Sequence, residues 1–181
     1  MNVFIASAAN TNIEKEYIDL AYQISQAFAK RDFDLYFGAG YYSMMGACYK
    51  AFAENKRKIH AYTVPKYESD LKKLPDATGI VVSDTLKRFR KFYFSCDYIV
   101  ILPGGVGTAA ELFSSIEEYR SSYGNKKIIV VDYKGYFKYL IKWLRDLYYK
   151  GFLNNDDFKA ISIIKKPKEI DKLLDKLMNG E

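Results

Sequence analysis

Short apolar runs alternate along the chain with longer stretches in which apolar residues recur every three or four positions. The short runs fall at residues 3–7, 34–37, 58–64, 79–82, 98–102, 128–132 and 160–164. Their length and composition predict β-strands. The longer stretches fall at residues 13–30, 44–54, 85–94, 108–122, 136–149 and 167–178. In the first of them Ile18, Ala21, Ile24 and Phe28 share one helical face,. Ser83 and Asp84 offer a cap for the helix at 85–94, and Pro167 stands at a typical helix start. A polar loop runs through Pro65 and Pro75 between the third and fourth strands.

Strictly alternating strands and helices imply a mainly parallel sheet with helices on both faces, joined by right-handed crossovers. The expectation is an α/β fold, three-layered and Rossmann-like, with about seven strands. The 181 residues, 49% of them hydrophobic, suit one domain over residues 1–181 with a substantial core.

Ligands on such sheets bind outside the carboxyl ends of the strands. Three loops leaving those ends have special compositions: Ala6-Ser7-Ala8-Ala9-Asn10, Gly38-Ala39-Gly40-Tyr41-Tyr42-Ser43 and Pro103-Gly104-Gly105-Val106-Gly107-Thr108. Small residues let backbone amides approach a ligand closely, and amides feeding a helix start attract an anion. A glycine loop alone is also compatible with a tight turn, but two on one sheet edge favour a nucleotide phosphate. The run is not GxxxxGK[ST], and Ser43 stands where a third glycine of a dinucleotide fingerprint would fall.

Glu111 admits two readings. Thr108-Ala109-Ala110-Glu111 fits a capping box, in which the glutamate serves the helix start. Alternatively it is a carboxylate beside a phosphate loop, able to orient water or stabilise the positive charge of a breaking glycosidic bond. The local pattern favours the cap. Lys87-Arg88-Phe89-Arg90-Lys91 reads as a solvated helix face, or as a source of an arginine fork for phosphate or ribose.

Composition narrows the classes. Two cysteines, Cys48 and Cys96, outside any CxxC pair, and one histidine, His60, argue against zinc or disulfide frameworks. The cysteines read as small buried residues and His60 as a strand residue. No run approaches the ~18 apolar residues of a membrane span, and Met1–Ile5 lacks the basic start of a signal peptide. A cytoplasmic setting is the expectation. The net charge of +6 favours anionic ligands. Aromatic residues at 17% suggest nucleic-acid stacking, but Tyr136, Tyr139 and Trp143 lie at core-like spacing, and packing is the preferred explanation.

The segment Pro103-Gly104-Gly105-Val106-Gly107-Thr108-Ala109-Ala110-Glu111 matches in full the PGGxGTxxE hallmark of the Lonely Guy family, which the chain resembles over nearly its whole length. Gly38-Ala39-Gly40 through Met45-Gly46, the opening Phe4 to Asn10, and Gly151-Phe152-Leu153 carry the rest of the resemblance. Members are cytokinin riboside 5′-monophosphate phosphoribohydrolases and related nucleosidases, often labelled lysine decarboxylases. No pyridoxal-phosphate site is readable here.

The resemblance implies hydrolysis of a nucleoside 5′-monophosphate, of the AMP or cytokinin riboside type, to free base and ribose 5-phosphate. It makes Glu111 and Arg88 catalytic and assigns phosphate and ribose binding to Gly104, Gly105, Val106, Gly107, Thr108, Ser7 and Gly40. It implies no metal, no cofactor, no nucleic acid and no membrane partner, and a homodimer with residues 85–95 and 108–122 near the twofold axis. The segment around Arg88 departs from the family's Met-x-x-Arg-Lys-x-x-Met: Thr85 and Phe92 replace the methionines and Phe89 the lysine, and Lys87 stands where many members carry glutamate. Two other classes stay open: a non-catalytic carrier or sensor of nucleotide or molybdenum cofactor, and a base- or deoxyribose-transferring enzyme using the carboxylate as nucleophile.

Overall fold

Alternate residues of the central strands pack into two separate cores. In β1 (Asn2–Ala6), Val3 and Ile5 face one side, and Phe4 and Ala6 the other. The same division runs through β5 (Tyr98–Ile101) and β6 (Lys127–Val131). A strand buried on both faces must be apolar throughout, which is why these runs show no polar alternation. The computed structural model describes residues 1–121 and 126–180.

The other strands are β2 (Asp34–Phe37), β3 (Ile59–Thr63), β4 (Ala77–Val81) and β7 (Ile161–Ile164). The sheet order is β4-β3-β2-β1-β5-β6-β7. Every neighbouring pair is parallel. The expected three-layer α/β architecture is thus the observed one. On one face lie α1 (Lys15–Ala29), α2 (Ser43–Glu54) and α7 (Glu169–Met178). On the other lie α3 (Thr85–Ser95), α4 (Val106–Ser121) and α5 (Lys138–Tyr149). Phe92 of α3 stacks on Phe4 at 4.2 Å between ring centres, and both are fully buried. Each such burial stabilises the fold by about 1.5–3 kcal/mol.

Several boundaries differ from the periodicity reading. The polar stretch after β3 is not an open loop but a kinked 3-10 segment, Pro65–Lys73. A short helix, α6 (Asn155–Lys159), precedes β7, capped by the Asn154 side chain, which accepts from the Asp157 amide at 2.8 Å. The helix expected from residue 136 begins at Lys138, after a 3-10 turn at Tyr133–Gly135. The helix expected from Pro167 begins at Glu169, whose carboxylate accepts from the Lys165 amide at 2.8 Å. Ser122, the expected end of the fourth long helix, lies outside the described residues. Tyr136, Tyr139 and Trp143 are exposed rather than core residues. The amphipathic stripe of α5 buries Ile141 and Leu144 instead; Tyr139 and Trp143 fall off that stripe, and Tyr136 precedes the helix. Cys48 and Cys96 are free and buried, as expected. His60 sits in β3 and stacks on Tyr36 at 4.4 Å.

The strand order reverses between β1 and β5. β1 leads outward to β2, whereas β5 leads the other way to β6. The loops after these two strands therefore diverge and leave a crevice at the carboxyl edge. The first turns of α2, α3 and α4 meet the same edge, because each follows a strand that ends there.

Candidate active site

A cleft of about 510 Å³ occupies that crevice. Its walls come from the three small-residue loops: Ser7, Ala8, Ala9 and Asn10 after β1, Gly38 and Gly40 after β2, and Gly105, Val106, Gly107 and Thr108 after β5. Arg88 and Glu111 line it as well. Of the candidate catalytic and binding residues read from the sequence, only Gly104 lies elsewhere. It lines a smaller adjoining hollow of about 260 Å³ with Pro103, Tyr17 and Tyr136.

The glycine loop is shaped by contact distances. A Cβ on Gly104 would lie 2.2 Å from the Thr108 hydroxyl, and one on Gly46 only 2.0 Å from the Tyr41 carbonyl oxygen. Neither position admits a side chain without movement. Gly105 and Gly107 are exposed and have nothing within 4 Å of a Cβ position, so they border open space.

Helix α4 begins at Val106. The Gly105 carbonyl already accepts the Ala109 amide at 3.0 Å. Thr108 is therefore in the first turn and Glu111 in the second, too far along for a capping box. The capping reading of Glu111 is overturned: the tight turn at Gly104-Gly105 starts the helix two residues early. The amides ahead of Ala109 have no helical acceptor; Gly105, Val106, Gly107 and Thr108 line the cleft, where the positive end of a helix favours an anion.

Glu111 is 13% exposed and Arg88 18%. Arg88 Nη2 lies 3.6 Å from Glu111 Oε1. That is an ion pair, but too long for a charge-assisted hydrogen bond. Among the described residues the buried Nε of Arg88 has no hydrogen-bond partner, so the guanidinium of this cleft residue retains an unused donor. Burial pushes the Glu111 carboxyl up to about 7, against the opposing pull of Arg88. Such a group exchanges protons near neutrality.

Arg88 reaches the cleft because α3 is pinned at its start. Asp84 caps it, with its carboxylate accepting the Lys87 amide at 2.8 Å. One turn on from Arg88, Phe92 is locked into the core. Arg90 instead points outward, over the Phe94 ring. The family departures fall away from the cleft: Phe89 and Phe92 are buried in the second core, and Thr85 and Lys87 are exposed.

Two cleft residues were missed by the sequence reading. Tyr67 and Asp70 enter from the 3-10 segment. Asp70 pairs with Lys73 at 3.1 Å, and Lys73 bonds the Tyr42 hydroxyl at 3.1 Å. The available signal was position, immediately beyond a strand's carboxyl end. The polar composition of that segment hid it. Among the described residues no group of three or more His, Cys, Asp or Glu is arranged to hold a metal, and none of the helices is long and apolar enough to cross a membrane. Burial raises both thiols, Cys48 to about 11, which disfavours nucleophilic use.

Fold and site together define a parallel α/β protein with a cleft at its switch point, lined by a helix start and by a partly buried Arg–Glu pair. A family model described as possible lysine decarboxylase matches residues 45–174. A cytokinin riboside 5′-monophosphate phosphoribohydrolase from Mycobacterium tuberculosis is 30% identical over 159 residues, covering 85% of this chain and 83% of that protein. Cytokinin riboside 5′-monophosphate phosphoribohydrolase LOG1 from Arabidopsis thaliana is 25% identical over 175 residues, covering 96% and 81%. Among solved structures, the molybdenum cofactor carrier protein of Chlamydomonas reinhardtii superposes with a TM-score of 0.70 at 13% identity, covering 98% of both chains. That likeness is one of fold. The chain belongs to the family of possible lysine decarboxylases, the Lonely Guy proteins.

Proposed function

We propose that this chain, acting as one domain in the cytoplasm, hydrolyses the N-glycosidic bond of a nucleoside 5′-monophosphate. The observation that carries the reading is the partly buried Glu111–Arg88 pair, which lines one cleft together with Gly105, Val106 and Gly107 at the start of α4. The amides bind the 5′-phosphate, aided by the helix dipole. Arg88 spends its unpaired donors on ribose or phosphate oxygens. Ionised Glu111 opposes the positive charge that builds on the sugar as the bond to the base breaks, and takes a proton from the attacking water. The base leaves with the bond's electron pair and takes up the proton that Glu111 accepted from the water, which returns Glu111 to its ionised form. The water's oxygen ends on ribose 5-phosphate. The relatives' names support this substrate class.

A homodimer belongs to the same reading. Leu86 is 72% exposed. It borders a surface hollow with Phe113, Arg90 and Glu117 on the paired faces of α3 and α4. An apolar patch carrying both charge signs can meet its own copy across a twofold axis.

The test is incubation with AMP, other purine and pyrimidine monophosphates and a cytokinin riboside monophosphate, with detection of base and ribose 5-phosphate. Release of both from at least one substrate supports the proposal. Tight binding without release from any of them replaces it with a carrier or sensor. A trapped glycosyl-enzyme with transfer to a second base replaces it with a transferase.

A further inference from the structure

We infer that Tyr136 is a positioning residue that aims the glycine loop at its anion. The inference rests on the phosphate-cradle reading above. The Tyr136 hydroxyl donates to the Gly104 carbonyl at 2.8 Å, across 32 residues of sequence. Peptide bonds are planar, and none in the described chain is cis. In a trans peptide the carbonyl of one residue and the amide N–H of the next point in opposite directions. Holding the Gly104 carbonyl toward Tyr136 therefore turns the Gly105 N–H away from it.

The two sides of that peptide are different places. Tyr136 lines the smaller hollow, with Gly104. Gly105 borders both this hollow and the cleft that holds Arg88 and Glu111. The other space that Gly105 borders is the cleft, and an amide turned away from Tyr136 is turned from the hollow that Tyr136 lines. A glycine pair has the freedom to rotate this peptide, so without a latch the amide has no fixed aim.

The latch is itself rigidly mounted. Buried Asp132 accepts the Phe137 amide at 2.7 Å, and its carbonyl accepts the Gly135 amide at 3.2 Å. Gly135 supplies the left-handed backbone (φ 74°) that the turn needs. The Tyr136 ring packs edge-on against Phe137 and Tyr17, with centres 4.9 and 6.0 Å apart. These contacts hold a side chain that is 48% exposed and explain why a tyrosine sits outside the core.

Tyr136→Phe removes the hydroxyl and keeps the ring contacts. Calorimetry with AMP, inorganic phosphate and adenosine is run on the parent, Tyr136→Phe and the exposed control Tyr139→Phe. The expected result is about fivefold weaker binding of AMP and phosphate by Tyr136→Phe, the scale of one hydrogen bond. Adenosine affinity and melting temperature stay at parent values, and Tyr139→Phe behaves as the parent. In turnover the loss appears as a raised KM with kcat retained, since the phosphate is bound alike in ground and transition states. Equal AMP and phosphate affinities in parent and Tyr136→Phe overturn the positioning role alone. A parent that binds AMP no better than adenosine overturns the cradle, and this inference with it.

Discussion

Replacing Glu111 by glutamine separates what this residue does for catalysis from what it costs the fold. Burial raises its carboxyl from 4.5 to about 7. Between these values the native protein holds a proton that the unfolded chain has released. Stability therefore falls as pH rises through that window. The favourable contribution is complete below about 4.5 and lost above about 7,. Each tenfold change in proton affinity is worth about 1.4 kcal/mol, so the full displacement amounts to roughly 3 kcal/mol. The attraction of Arg88 is already contained in that value. The glutamine side chain resembles the protonated acid in shape and charge and does not titrate. The parent and Glu111→Gln should thus melt together at pH 4, below both values,. At pH 8 the variant should be the more stable by roughly 2–3 kcal/mol, a gap on the order of 5–10 °C for a chain of this size. Turnover of the monophosphate should fall by about a hundredfold or more, and the parent's own rate should decline below pH 7 as Glu111 takes up its proton. Thermal melts at the two pH values and a ribose 5-phosphate assay provide the readouts. Parallel melting curves from pH 4 to 8 would refute the near-neutral carboxylate. A variant that turns over at the parent rate would refute its catalytic role.

Arg88→Ala should sharply reduce turnover, whereas Arg90→Ala, which removes only an outward guanidinium over Phe94, should change it little; similar losses at both would indicate a general surface field. Gly46→Ala, with its Cβ 2.0 Å from a backbone oxygen, should destabilise by a few kcal/mol in chemical denaturation, while Gly107→Ala, with open space at that position, should fold nearly as the parent. Leu86→Asp combined with Phe113→Asp should convert a dimer to a monomer in light scattering, and an unchanged mass would remove this face as the interface.

The strands and their order of appearance were legible because burial on both faces demands continuous apolar runs such as Ile128-Ile129-Val130-Val131. The three small-residue loops were legible because only residues without bulky side chains permit the approaches seen at Gly104 and Gly40. The hydrogen-bond register that starts α4 at Val106 was not, since Thr-x-x-Glu has the same spelling as a helix cap and as two positions inside a helix. Nor was the exposure of Tyr136, Tyr139 and Trp143, because a helical stripe shows which residues share a face and not which face meets the sheet.

The sequence alone therefore determined the alternation of strands and helices, the places where backbone must pass close to backbone, and the family hallmark from Pro103 to Glu111. Tertiary structure alone decided what meets at the cleft. The reversal of strand order between β1 and β5 brings together loops far apart in the chain, sets Arg88 3.6 Å from Glu111, draws in Asp70 and ties Tyr136 to Gly104. The carboxyl of Glu111 is displaced for the same reason: its proton affinity depends on the water excluded by neighbours distant in the chain, and no local pattern records how much water a folded surface will exclude.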